Sequence, residues 1–219
     1  MAIALDSTSA PTNGAGSSSL NRSHTCSGSD RILWVGVATA SGASVPVTGV
    51  TYNSVAMTKV TSIVPQSNWD LSLWYLAAPA TGTNTITATC GSAPAHAFRI
   101  MSASYTGASQ TGIPDSSNSA TGVTTSRTVS TTTVADNCWV VGLGMTGASA
   151  IVPSTGMTTR SETDSASSST VLADSNGPKT PAGSYSMTFT TANDSTGLIV
   201  ASFAPATAAA TNSNFLMLL

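Results

Sequence analysis

The chain is predicted to fold as an all-β protein, an antiparallel sandwich, and three observations carry that prediction. Short runs of β-branched and aromatic residues, bounded by Gly, Pro, Asn, Asp or Ser, recur along nearly its whole length. Only 7% of its 219 residues are charged, and Glu162 is its one glutamate, whereas helical bundles need surfaces rich in Glu, Lys and Arg. Apolar residues repeat with period two or run continuously, and no convincing amphipathic helix is found.

The elements follow in order. Ile32 to Val37, within Arg31–Ala38, is apolar at consecutive positions, which predicts a strand covered on both faces. Tyr52-Asn53-Ser54-Val55 reads as a two-residue hairpin turn, because Asn tolerates positive φ. Leu71–Leu76 is a dense apolar strand, so Trp74 is expected in the core. Asn84–Cys90 alternates with Thr outward, and Ala97–Met101 forms a further strand. Trp139–Leu143 repeats the two-faced pattern of Ile32–Val37, and Cys138 beside it predicts a small buried thiol. Tyr185–Phe189 alternates apolar with Ser or Thr, the pattern of a strand with one wet face, and Leu198–Phe203 closes the series.

Two stretches echo one another in order. Asp30–Val37 parallels Asp136–Leu143, Thr48–Thr51 parallels Thr155–Thr158, Pro79–Thr87 parallels Pro181–Thr188, and Arg99–Tyr105 falls opposite Leu198–Phe203. The expected organisation is an N-terminal extended segment over 1–16, a β-sandwich over 17–205 and a C-terminal arm over 206–219. Within the sandwich, pseudo-repeats of about 17–107 and 122–205 are joined by a polar linker at 108–121. Each half is expected to be a thin sheet with one apolar face, and the two faces pack into one sandwich, for which a jelly roll is one available form.

A search for chemistry finds little. The three cysteines, Cys26, Cys90 and Cys138, form no CxxC pair, so neither a zinc site nor a redox pair is expected, and free buried thiols are favoured. The two histidines, His24 and His96, accompany no GxSxG elbow. Glu162 lies with Arg160 and Asp164 in a polar stretch that reads as a solvated charge cluster, and no second carboxylate is singled out for glycoside hydrolysis. No catalytic residue, no metal and no cofactor is therefore expected. A net charge of -2 leaves no basic surface for phosphates, so nucleic acid is not an expected partner. No window approaches the 18 apolar residues of a membrane span, so no membrane partner is expected either. Trp69, between Asn68 and Asp70 at a turn, is the one ring suited to be an exposed platform for a sugar. Phe215, Leu216, Met217, Leu218 and Leu219 read either as a last strand within the chain or as an arm docking on a neighbouring subunit.

The string Val47–Thr58, followed by Leu73–Thr87, resembles a β-sandwich module of tailed-phage virion structural proteins that also occurs in bacterial surface proteins. The family's hairpin reads Tyr-Asn-Gly, where this chain has Tyr52-Asn53-Ser54. The resemblance implies a virion-associated role in head decoration or tail adornment and carries no catalytic residues. The N-terminal Met1–Asp6 lacks the basic and apolar regions of a secretory signal, which fits a protein made in the host cytoplasm and located in the virion. The function expected first is a capsid decoration (cement) protein that binds and stabilises the outer head shell. Its partners would be the major capsid protein or other virion proteins, and it would be a homo-oligomer for which a trimer suits threefold positions. The alternative is a tail-fibre or surface carbohydrate-binding module.

Overall fold

The computed structural model describes residues 1–165 and 167–207, and the expected arm residues Phe215–Leu219 lie outside them. The described residues are all-β, in three antiparallel sheets without a helix. The first half carries β1 (Ala4–Gly14), β2 (Ser19–Cys26), β3 (Ile32–Ala40), β4 (Val47–Tyr52), β5 (Val55–Ala56), β6 (Thr58–Ile63), β7 (Trp69–Ala77), β8 (Gly82–Cys90) and β9 (Ala97–Thr106). The second carries β10 (Ser116–Thr132), β11 (Trp139–Thr146), β12 (Ile151–Pro153), β13 (Thr158–Thr163), β14 (Ser169–Asp174) and β15 (Ser184–Phe203).

The first half forms a sheet of order β1-β9-β3-β7-β6 facing a sheet of order β2-β8-β4-β5. With β5 and β6 counted as one bent strand, this is the strand order of a jelly roll. The second sheet runs β10-β15-β11-β14-β13, the same order with fewer, longer strands. There β10 does the work of β1 and β2 together. Its residues 116–124 pair with 194–202 of β15 and its residues 126–132 with 184–190, across a register shift between Thr124 and Ser126. The outer limb of β15 also pairs with β12, completing a second jelly roll.

Period-two alternation explains the layering. In β3, Leu33, Val35 and Val37 point into a core shared with Val50, Tyr52, Ile86 and Ala88, while Ile32, Trp34 and Ala38 point the opposite way. In β11, Val140 faces Met187 and Phe189 of the outer limb, and Trp139, Val141, Leu143 and Met145 face the first half. Trp34, Tyr105 and Phe203 meet at ring-centroid distances of 5.3–5.5 Å about Phe203 in this shared middle layer. The expected all-β antiparallel sandwich is thus present, but its three sheets, in four layers, enclose three cores, where two thin sheets were expected. A strand apolar on both faces needs two covers, and each half supplies the second from its own alternating strands, β2, β4 and β8 or their equivalents.

The expected boundaries shift for a related reason. Residues 4–14 are no lead but the edge strand β1, paired with β9 and irregular between Ser9 and Thr12, where Pro11 can donate nothing to a ladder. The connection between halves is shorter than 108–121, because Ala108 already bridges Pro205 and β10 starts at Ser116. Thr155-Gly156 is the turn after β12, so it corresponds to Asn53-Ser54 rather than to a strand. Asn53 and Ser54, at φ 49° and 65°, form the predicted hairpin turn, and Tyr52 pairs with Val55. Cys26, Cys90 and Cys138 are buried and free.

One glycine pins the first strand. Gly107 has φ +69°, and a Cβ there would run into the carbonyl of Ala2. Gly107→Ala is expected to destabilise by roughly 2–4 kcal/mol, from left-handed strain plus that collision. Gly16→Ala, at φ +77° in open space, is expected to cost only roughly 1–2 kcal/mol. Urea titrations of the two variants check the difference.

Candidate functional site

Two buried polar networks and one cleft stand out against the hydroxyl-clad surface. The first network centres on His24, which lies in β2 and is 1% exposed. Its Nδ1 lies 2.8 Å from Ser9 Oγ and 3.0 Å from Ser102 Oγ, and its Nε2 lies 3.0 Å from Ser104 Oγ, which donates to Asp6 Oδ2 at 2.8 Å. The Asp6 carboxylate fixes the direction of donation, from Nε2–H to Ser104 and from Ser104 to Asp6, leaving Nδ1 as acceptor. Burial pushes the imidazole down to about 4, against an opposing pull from Asp6 and with a push from Arg22. Desolvation works to raise Asp6, but the Ser27 side chain and backbone N–H, together with Ser104, hold it below the usual carboxylate range. The string runs His24–Ser104–Asp6, with its imidazole buried between β1, β2 and β9 and its carboxylate half-buried. Its work is to tie two sheets together.

The second network crosses the middle layer. Tyr105 of β9 donates to Asp174 Oδ2 at 2.7 Å, and Arg160 of β13 binds the same carboxylate through Nε at 2.6 Å and Nη2 at 2.9 Å. The Asp174 side chain is fully buried. Burial, then the Asp174 charge, raises the Tyr105 phenol well above its ordinary value. Desolvation opposes the Arg160 charge, but Asp174 outweighs it and raises that group too. Arg160 therefore belongs to a staple between the halves rather than to a solvated cluster, while Glu162 and Asp164 stay exposed.

The cleft, about 600 Å³, opens at one end of the same junction. The first half contributes Asn13, Gln66, Asn68, Trp69, His96 and Arg99, and the second Gly147, Ser165, Ser167, Ser168 and Asp194. Trp69 begins β7 and is 6% exposed, with its Cη2 edge packed against Gly147, so the exposed-platform expectation is corrected. Alternation along β7 places Trp69 with Leu71 and Leu73 on the middle core, and only an edge reaches the cleft. His96 stands exposed at the rim and Asp194 is half-buried on the opposite wall.

Arg99 forms the floor and is 2% exposed. It sits at the inward parity of β9, between Ala97 and Met101, and reaches across to the second half. Nη1 donates to Thr170 Oγ1 at 3.0 Å, and Nη2 donates to Ser168 Oγ at 2.8 Å, Ser168 O at 3.3 Å and Ser165 Oγ at 3.4 Å. Its Nε has no partner, and the one ion pair among the described residues is Arg160–Asp174. Desolvation lowers the Arg99 guanidinium, offset in part by the charge of Asp164. An arginine stays protonated regardless, so a buried charge without a carboxylate is held on the cleft floor.

Residue reading singled out Trp69 but missed Arg99, which carries more of the site. The signal was present: a lone charge inside Ala97-Phe98-Arg99-Ile100-Met101 must point into one core or the other. The chain matches no family model, no curated protein and no solved structure.

Proposed function

We propose that this protein is a non-catalytic virion structural protein, specifically a capsid decoration protein that binds and stabilises the outer head shell. The observation that carries the proposal is the back-to-back union of two jelly rolls through one buried layer, with staples at Asp174 and Arg99. Such a body bridges neighbouring subunits without deforming. Its outer strands show exposed hydroxyl pairs, Thr25–Thr83 at 2.7 Å, Thr128–Thr188 at 2.8 Å and Ser130–Ser186 at 2.8 Å, which suit contacts made by shape and hydrogen bonding. The resemblance of Val47–Thr58 and Leu73–Thr87 to phage modules supports the same reading. The partners proposed are the major capsid protein and further copies of this chain, and repetition over a lattice makes modest contacts effective.

Heads carrying the protein are expected to rupture at a higher temperature than heads stripped of it. Because few charges take part, occupancy is expected to change by less than about threefold between roughly 0.05 and 0.5 M salt. Absence of the protein from purified heads defeats the proposal. A second reading, a carbohydrate-binding module of a tail fibre or surface, is favoured by one observation, the polar cleft floored by Arg99.

A further inference from the structure

We propose that the junction cleft binds a sugar acid, with the ligand's carboxylate on Arg99 and its hydroxyls on Asp194 and the amides of Gln66 and Asn68. This inference rests on the carbohydrate-binding reading and names its substrate class. Three features of the cleft converge on that chemistry.

The first is the state of Arg99. Its Nε–H and the neighbouring Nη2–H form the side-on fork that grips a carboxylate with two parallel bonds. One arm of that fork, the Nε–H, is buried without a partner, and Nη2, already bonded to Ser168 Oγ at 2.8 Å, makes its longest contact, 3.4 Å, to Ser165 Oγ. A carboxylate entering from the cleft displaces the Ser165 hydroxyl and fills both arms. The Thr170 bond to Nη1 and the Ser168 bond to Nη2 hold the guanidinium plane in place. The charge is 2% exposed and unpaired, so the protein has already met the cost of desolvating it.

The second is Asp194, which argues against a bare anion. Its Oδ1 accepts the Ser195 backbone N–H at 2.6 Å, which leaves Oδ2 for a ligand. A carboxylate wall opposite an arginine floor repels inorganic anions but receives vicinal hydroxyl donors. A sugar acid carries both complements on one ring. The third is size and lining: about 600 Å³ exceeds one sugar ring and falls within the usual range for small-molecule sites, and planar amide groups suit hydroxyl pairs. Trp69 offers only an edge, so recognition here is polar rather than by ring stacking.

The test is calorimetric titration of the full chain with glucuronate, N-acetylneuraminate, glucose and acetate. One or both acid sugars are expected to bind at least about tenfold more tightly than glucose, as a charge-assisted fork implies, and acetate is expected to bind no better than glucose. Arg99→Met is expected to abolish the preference for the acid. Should that variant fail to fold, Asp194→Asn decides: removing a like charge while keeping an acceptor is expected to raise the preference for the acid sugar over glucose about threefold, because any weakening of the hydroxyl contact is common to both ligands, and an unchanged preference overturns the assignment. Glucose bound as tightly as the acids overturns the sugar-acid assignment while the carbohydrate reading stands. Acetate matching the acids overturns the requirement for a sugar. No binding of any sugar overturns both the inference and the reading beneath it.

Discussion

Replacing Asp174 with alanine is expected to lower the unfolding free energy by about 3–5 kcal/mol, the usual cost of removing one partner from a buried charge pair. For a chain of this size the midpoint of thermal unfolding should then fall by roughly 6–20 °C. The magnitude follows from what stays behind. Arg160 is largely buried with both its carboxylate bonds directed at Asp174, and the Tyr105 hydroxyl has no other acceptor. Tyr105 bears the full cost of leaving water and Arg160 most of it, so the lost oxygens are only partly replaced. Tyr105→Phe removes one hydrogen bond to the carboxylate and leaves Arg160 in place, so it should cost less, about 1.5–3 kcal/mol. Urea denaturation of both variants measures the order. An Asp174→Ala protein as stable as wild type would show that the staple contributes nothing.

Acidification should produce an effect of similar size through His24. An ordinary histidine titrates near 6.5, and burial holds this one down to about 4, so the folded protein keeps it neutral where the unfolded chain takes up a proton. The contribution to stability is therefore complete above pH 6.5 and is lost as pH falls from 6.5 toward 4. At 1.36 kcal/mol per unit, the loss is about 3 kcal/mol. The groups around the ring are Asp6, Arg22, Tyr52 and the three serine hydroxyls, and of these Asp6, held low, keeps its own contribution above the ordinary carboxylate value and loses it as pH falls from there through its depressed one. Asp70 and Asp115 act in the opposite sense, because burial raises both and protonation relieves it. The comparison that isolates His24 is with His24→Asn, whose stability should vary about 3 kcal/mol less over that pH range. Parallel profiles for the two proteins would assign the acid sensitivity elsewhere.

How far the fold could be read beforehand depended on how many faces each strand buries. β3 and β11 bury two, and consecutive apolar residues announced them, as alternation announced β8 and the outer limb of β15. Within the extended segment over 1–16, β1 carries no strand signal because an edge strand with one partner and a mostly wet surface needs no apolar period. The start of β10 falls within the expected linker 108–121 for the same reason: Ser, Thr and Gly clothe exposed strands here as readily as loops. The four layers are illegible locally, since β10 and β15 pass from one layer to the other within a single sheet, without any Pro or apolar break marking the turn. In the cleft, Trp69 attracted notice as an aromatic at a turn, but strand parity buried it. Arg99 and Asp174 gave the opposite signal, a single charge within an apolar strand, which marks a residue that must find partners in the interior.

The claim on which the account turns is that two jelly rolls, sealed through the Trp34–Tyr105–Phe203 layer, behave as one body. Differential scanning calorimetry tests it most directly. The account predicts a single transition whose calorimetric and van't Hoff enthalpies agree, in the wild-type protein at neutral pH. Two resolved transitions, or a van't Hoff enthalpy near half the calorimetric one, would show two independent sandwiches on one chain and contradict it.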